Sequence, residues 1–215
     1  MTTRPREALQ WPFARHLADA LLKELEPYCD RIEVAGSVRR RKDMVKDIEL
    51  VVVPKMLEPE KDLFGEIKAQ RDALTEYLLA EIARKPGVWH YRPNVKGITT
   101  FGVQNKFLLR TVESFWVPGE TIDVAIDLFT ASQENWGRDL AIRTGPAKLN
   151  QAVATLAQRK GWAMHAYGEH AFTVSSVTVL HCPEELGFFG AVNVECLPPE
   201  QRTDEWAESL MRERA

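Results

Sequence analysis

Cysteine is scarce: Cys29, Cys182 and Cys196 are the three in 215 residues, and no two of them form a CxxC pair. That excludes a disulfide scaffold, argues against a cysteine-ligated zinc site, and predicts reduced thiols in a cytoplasmic protein. Long hydrophobic runs are missing as well. No apolar stretch approaches the roughly 18 residues that mark a membrane span, so no membrane partner is expected. Residues 1–10 are polar, carry Arg4 and Arg6, and lack the apolar core of a signal peptide. Neither sign of charge dominates. Lys and Arg total 28 against 31 Asp and Glu, for a net charge of -3, which speaks against a protein that grips nucleic acid over a broad basic surface. Repeats and low-complexity segments are absent. What remains is ordinary globular composition, 45% hydrophobic and 27% charged, in a chain long enough to bury a core.

The apolar spacing predicts a helix over 11–25, where Phe13, Leu17, Leu21, Leu22 and Leu25 recur at helical intervals ahead of Pro27. Short strands are predicted over 31–35, closed by Gly36-Ser37, and over 47–53, stopped by Pro54. A long amphipathic helix is expected over 62–83, then strands over 98–109, 111–117 and 121–129, with Pro118-Gly119 as the last turn. Residues 132–142 and 147–160 read as helices. This order predicts an α+β fold, a mixed β-sheet with helices packed on it.

Asp47 and Glu49 are two apart on a predicted strand, so both side chains leave one face. Their neighbours Ile48, Leu50, Val51, Val52 and Val53 suit a buried strand. Two acids on such a strand are costly unless a positive partner sits between them, and a divalent cation is the simplest one. A plain alternative is a strand end where both acids face water or pair with Arg39 and Arg40. The upstream context favours the cation. Gly36 lets the backbone approach a polyphosphate, Ser37 adds a hydroxyl, and Arg39, Arg40 and Lys42 can offset phosphate charge. A two-metal site asks for a third carboxylate. Asp123 and Asp127 share a strand face, so periodicity alone does not choose between them. Asp127 is preferred because it lies among Ala125, Ile126, Leu128 and Phe129, where an acid needs a partner.

With these residues in view, the chain resembles the family X (beta-type) DNA polymerases. The segment from Gly36 to Glu49, GSVRRRKDMVKDIE, is similar to that family's G-S-x-R-R followed by D-x-D on a strand. Asp127 falls where the family has its third carboxylate, Thr144-Gly145 where its Y-F-T-G turn ends, and Asn150 where an asparagine contacts the nucleotide. The stretch to Tyr167 resembles a thumb-side helix and strand, and residues 197–202 resemble the terminal P-P-E-L-R stretch. The likeness runs from about Arg4 to Arg202.

The resemblance implies a nucleotidyltransferase-type palm over 1–142 and a small thumb-like subdomain over 143–215. It implies two Mg2+ or Mn2+ ions held by Asp47, Glu49 and Asp127, with in-line attack of a primer 3′-hydroxyl on a nucleoside triphosphate and release of pyrophosphate. Gly36, Ser37, Arg39 and Arg40 would take the phosphates, while Arg143, Thr144, Gly145 and Asn150 would lie against the nucleotide. The macromolecular partner would be primed or gapped DNA, or RNA, in a repair setting. The sequence also departs from the pattern. Glu49 stands where Asp is usual, Ile142-Arg143 replaces an aromatic pair, Thr100 replaces a lysine, and Ala154 replaces a template-sensing arginine. The family's amino-terminal lyase region has no counterpart, so lyase activity is not expected. These departures leave two rivals to a minimal template-directed polymerase: an enzyme adding nucleotides without a template or to RNA, and a non-catalytic nucleotide- or nucleic-acid-binding protein.

Overall fold

The computed structural model describes residues 8–61, 63–64, 66–114 and 118–212. Strand β1 (Leu9–Gln10) leads into α1 (Trp11–Leu25) and β2 (Cys29–Val34), and a one-turn helix α2 (Gly36–Arg39) precedes β3 (Met44–Val45). Then come β4 (Asp47–Pro54), β5 (Met56–Lys61), β6 (Ile67–Asp72), α3 (Ala73–Arg84), β7 (Trp89–Tyr91), β8 (Asn105–Glu113) and β9 (Thr121–Thr130). The remainder is α4 (Trp136–Thr144), α5 (Ala147–Arg159), the short strands β10 (Ala163–Met164), β11 (Phe172–Thr173) and β12 (Val179–Leu180), then α6 (Glu185–Ala191) and α7 (Asp204–Arg212). The fold is α+β around a mixed five-stranded sheet of order β2-β4-β9-β8-β7. Within it β4 and β9 run parallel and the other neighbours antiparallel.

The chain forms two compact units, each taken by itself. One consists of the described residues up to Val34 together with Asp43–Thr130; the other consists of Ala35–Lys42 together with the described residues from Ala131 onward. Position 142, expected as a domain boundary, lies inside α4.

In the first unit the period of two sorts each strand. Ile48, Leu50 and Val52 of β4 stand beside Ile126, Leu128 and Thr130 of β9, and Leu108 of β8 continues the row beside Ile126. Helices α1 and α3 belong to this face through a shared carboxylate. Glu24 of α1 accepts from Tyr77 Oη of α3 (2.8 Å), from Trp89 Nε1 (3.0 Å) and from Arg110 Nη2 (3.1 Å). Trp89 and Arg110 are themselves register neighbours. The other face carries Asp47, Glu49 and Val51 beside Ala125, Asp127 and Phe129.

Helix α1 keeps its expected limits, with Pro12 in its first turn, where a missing N–H costs nothing. Its buried stripe is Ala14, Ala18, Leu21 and Leu25, while Phe13, Leu17 and Leu22 are half-buried. Alanines in the middle of the stripe let the helix lie close to its neighbours, and the larger side chains flank the contact.

Two expectations are corrected. The helix expected over 62–83 begins only at Ala73. Asp72 caps it by accepting from the Thr75 N–H (2.7 Å). Residues upstream pair as the β5–β6 hairpin. Leu63 and Ile67 match the helical spacing, but both are exposed, so nothing buries a helical face there; Asp62 itself lies outside the described residues. The strands expected over 98–109 and 111–117 are one strand, Asn105–Glu113, preceded by irregular chain with single bridges at Thr99 and Phe101. Asn94 starts that loop, its Oδ1 accepting from Lys96 N (2.8 Å) and Ile98 N (3.1 Å). Residues 115–117 lie outside the described residues.

The second unit packs Leu149, Val153 and Leu156 of α5 against Phe172, Phe188, Phe189, Ala207 and Leu210. Phe172 and Phe188 stack with centroids 5.3 Å apart. Gly137 permits α4 to approach the start of α6, since a Cβ there would lie 2.0 Å from the Glu184 carbonyl carbon. Buried Arg138 donates to the carbonyls of Gly168 (3.0 Å) and His170 (2.8 Å), tying α4 to the chain before β11.

Candidate functional site

In the first unit, Asp47 and Glu49 open β4, and both are half-buried. Parallel pairing with β9 brings Glu49 into register with Asp127, and Asp47 into register with Ala125. All three carboxylates therefore leave one face on adjacent strands. Asp127 is 8% exposed, and Arg92 forms an ion pair with its Oδ1. Among the described residues no three His, Cys, Asp or Glu side chains are gathered closely enough to hold a metal ion; it is the backbone register that brings the three carboxylate positions onto neighbouring strands. Asp123 is exposed and accepts from Thr111 Oγ1 (2.6 Å), with His90 Nε2 3.3 Å away.

In the second unit, Ala35 is extended and Gly36 turns with φ +60°, a left-handed value that favours glycine. The turn that follows is closed by Lys42 N donating to Ser37 O (3.0 Å). Ser37 Oγ is buried and has no hydrogen-bond partner among the described residues. The two arginines differ. Arg39 makes a two-pronged ion pair with Glu185 (2.9 and 2.8 Å) and donates to Thr144 Oγ1 (2.8 Å). Arg40 donates to the Thr144 carbonyl. Gly145 follows at φ +68°, a left-handed value that favours glycine, and a Cβ there would stand 3.1 Å from the tip of the Arg40 side chain, a tight contact.

Thr144 is fully buried between these arginine contacts. Arg143 places its guanidinium 5.2 Å from the Tyr167 ring centroid. Asn150 Nδ2 donates to the Ile142 carbonyl (2.8 Å) and so ties α5 back to the end of α4. The eight residues expected to take the nucleotide thus fall in one unit, and the three carboxylates in the other.

Sequence reasoning passed over Arg92 and Glu185. Arg92 sits in a loop far upstream of Asp127 with no pattern linking them. Glu185 accepts from Arg39 and from Arg202 Nη1 (2.6 Å), and Arg202, 2% exposed, also donates to the Leu197 carbonyl (2.9 Å). Burial pushes the Glu185 carboxyl up, but the hydrogen bonds and charges of Arg39 and Arg202 outweigh it, leaving the group below the ordinary carboxylate range. No family model matches the chain, and no curated protein matches it either. Among the described residues no helix is long and apolar enough to cross a membrane.

Proposed function

We propose that the chain is a metal-dependent nucleotidyltransferase that adds nucleotides to a primer 3′-hydroxyl, its sheet unit acting as palm and its helical unit as a thumb-like companion. One observation carries the reading: Asp47 and Glu49 share a face of β4 with Asp127, which stands in register with Glu49 on β9. Carboxylate oxygens are hard donors suited to Mg2+ or Mn2+, and a buried acid such as Asp127 requires positive charge beside it. Asp47, Glu49 and Asp127 would hold two ions, which when bound supply Lewis acidity and a more acidic attacking hydroxyl.

The remaining tasks fall to side chains of the second unit. Ser37 has a buried hydroxyl with a proton to donate, a fitting partner for a phosphate oxygen of a nucleoside triphosphate. Arg40, three residues after Ser37, keeps a permanent positive charge. Arg39, already committed to Glu185 and Thr144, holds the loop rather than the ligand. Arg143 and Asn150 flank the Thr144-Gly145 turn, where the nucleotide's sugar and base would lie.

The deciding experiment is primer extension with purified protein and Mg2+ or Mn2+, on DNA and RNA primers, with and without template, offering each nucleotide singly. Incorporation that disappears in Asp47→Asn, Glu49→Gln and Asp127→Asn supports the reading. Absence of incorporation on every primer by folded protein, or incorporation indifferent to those changes, sinks it. Template-matched incorporation alone marks a DNA-directed polymerase; extension without template marks its untemplated relative.

A further inference from the structure

Arg92 follows directly on β7, and its N–H donates to the Phe107 carbonyl (3.2 Å). Its guanidinium lies 5.0 Å from the Phe107 ring centroid and pairs with Asp127. Both side chains of the pair are 11% exposed. Phe107 is the β8 register neighbour of Asp127, so ring and carboxylate leave the same face. The ring is braced edge-on by Phe129 at 6.0 Å. An arginine seated on an aromatic face is held in one orientation at little further entropic cost. Arg92 is therefore a built partner of Asp127, with its backbone, its ring contact and its charge all committed to one place.

We propose that Arg92 is the resident counter-cation of the carboxylate face and competes with a divalent ion for Asp127. The inference rests on the reading of Asp47, Glu49 and Asp127 as cation ligands. A buried carboxylate without a cation is costly, and Arg92 meets that need in the metal-free protein. The same guanidinium stands against Oδ1, where an incoming ion would have to sit, and it sets a like charge beside that ion. Arg92 must cede Oδ1, by moving along the Phe107 ring or by pairing with it less closely, before Asp127 can ligate. Arg92 is thus a positioning residue that sets how readily the site fills, and it takes no part in bond making.

The test measures Mn2+ binding, by electron paramagnetic resonance of the free ion, together with melting temperature in the presence and absence of Mn2+. Arg92→Gln and Arg92→Met remove the charge, the second keeping the packing on Phe107; Arg92→Lys keeps the charge. Both neutral variants are expected to bind Mn2+ about tenfold more tightly than the unaltered protein. They should melt lower without the ion and gain more from its addition, while Arg92→Lys stays near the unaltered protein. Neutral variants that bind Mn2+ no more tightly, or more weakly, overturn the proposal. Asp127→Asn separates the two claims. If it retains Mn2+ binding, the metal reading fails and this inference with it. If it loses binding while the neutral Arg92 variants leave affinity unchanged, only the competition is wrong.

Discussion

Glu49 and Asp127 stand in register across the parallel pair β4–β9. Neighbouring strands are about 4.8 Å apart, so two carboxylates at one register position are within reach of a common ion. Asp123 lies on the same face of β9 but four residues back, about 13 Å along the strand, and hydrogen-bonds to Thr111.

This spacing sets the first expectation. Asp127→Asn should abolish nearly all nucleotide transfer while leaving triphosphate binding largely intact, because the residues proposed to take the phosphates are elsewhere. Asp123→Asn should be mild, since its hydroxyl donor Thr111 can bond an amide oxygen equally well. Rates from single-nucleotide primer extension decide it, and a dead Asp123 variant beside an active Asp127 variant would reverse the assignment.

Arg40→Ala should weaken binding of a nucleoside triphosphate much more than of the monophosphate. Loss of one charge-assisted hydrogen bond is worth about 1.5–3 kcal/mol, which is about ten- to a hundredfold in affinity. Titration calorimetry with both ligands checks this. Equal losses would confine Arg40 to its bond with the Thr144 carbonyl.

Glu185 carries a pH signature. Its carboxyl is held below the ordinary range once folded, by Arg39 and Arg202 against the opposing effect of burial. A depressed folded pKa gives stability that is fully present above the unfolded value of about 4.3 and is lost as pH falls through the folded pKa. Glu185→Gln leaves buried Arg202 and half-buried Arg39 short of a counter-charge and should cost about 3–5 kcal/mol at pH 7. Urea melts from pH 7 down to pH 3 should show the gap between the two proteins closing at the acid end. A gap independent of pH would mean that the carboxylate charge does not matter.

The cysteines should label in order. Burial pushes the Cys29 thiol up to about 12 and Cys182 up to about 11, and both are buried; Cys196 is raised too, but is only half-buried. At pH 8 iodoacetamide should reach Cys196 first and the other two only after unfolding, as read by peptide mass spectrometry. Early labelling of Cys29 would contradict its place in the core.

The carboxylate face was legible because a strand repeats every two residues: Asp47 and Glu49 had to leave together, and Asp127 was marked out by its apolar neighbours. Which register joined β4 to β9 was not legible, since pairing between distant segments leaves no local trace. The β5–β6 hairpin was misread because Leu63, Ile67, Leu74 and Leu78 mimic one helical stripe. The capping carboxylate of Asp72 was the local sign that only the last two belong to a helix. Arg39 was readable as a basic residue beside a glycine turn, but its commitment to Glu185 depends on a partner at the start of α6 that no spacing announces.

Residues 35–42 belong with the helical unit although the chain on either side of them belongs with the sheet. A fragment starting at Ala131 would contain Glu185, Arg202 and Thr144 but not the guanidinium of Arg39 that all this bonding serves. The helical unit is therefore not a cassette. It cannot be excised, appended to another protein or exchanged between relatives at the 130/131 junction unless the eight-residue loop from Ala35 to Lys42 travels with it, and in a linear gene that loop sits inside the other unit. Recombination that respects this molecule has to exchange both parts at once.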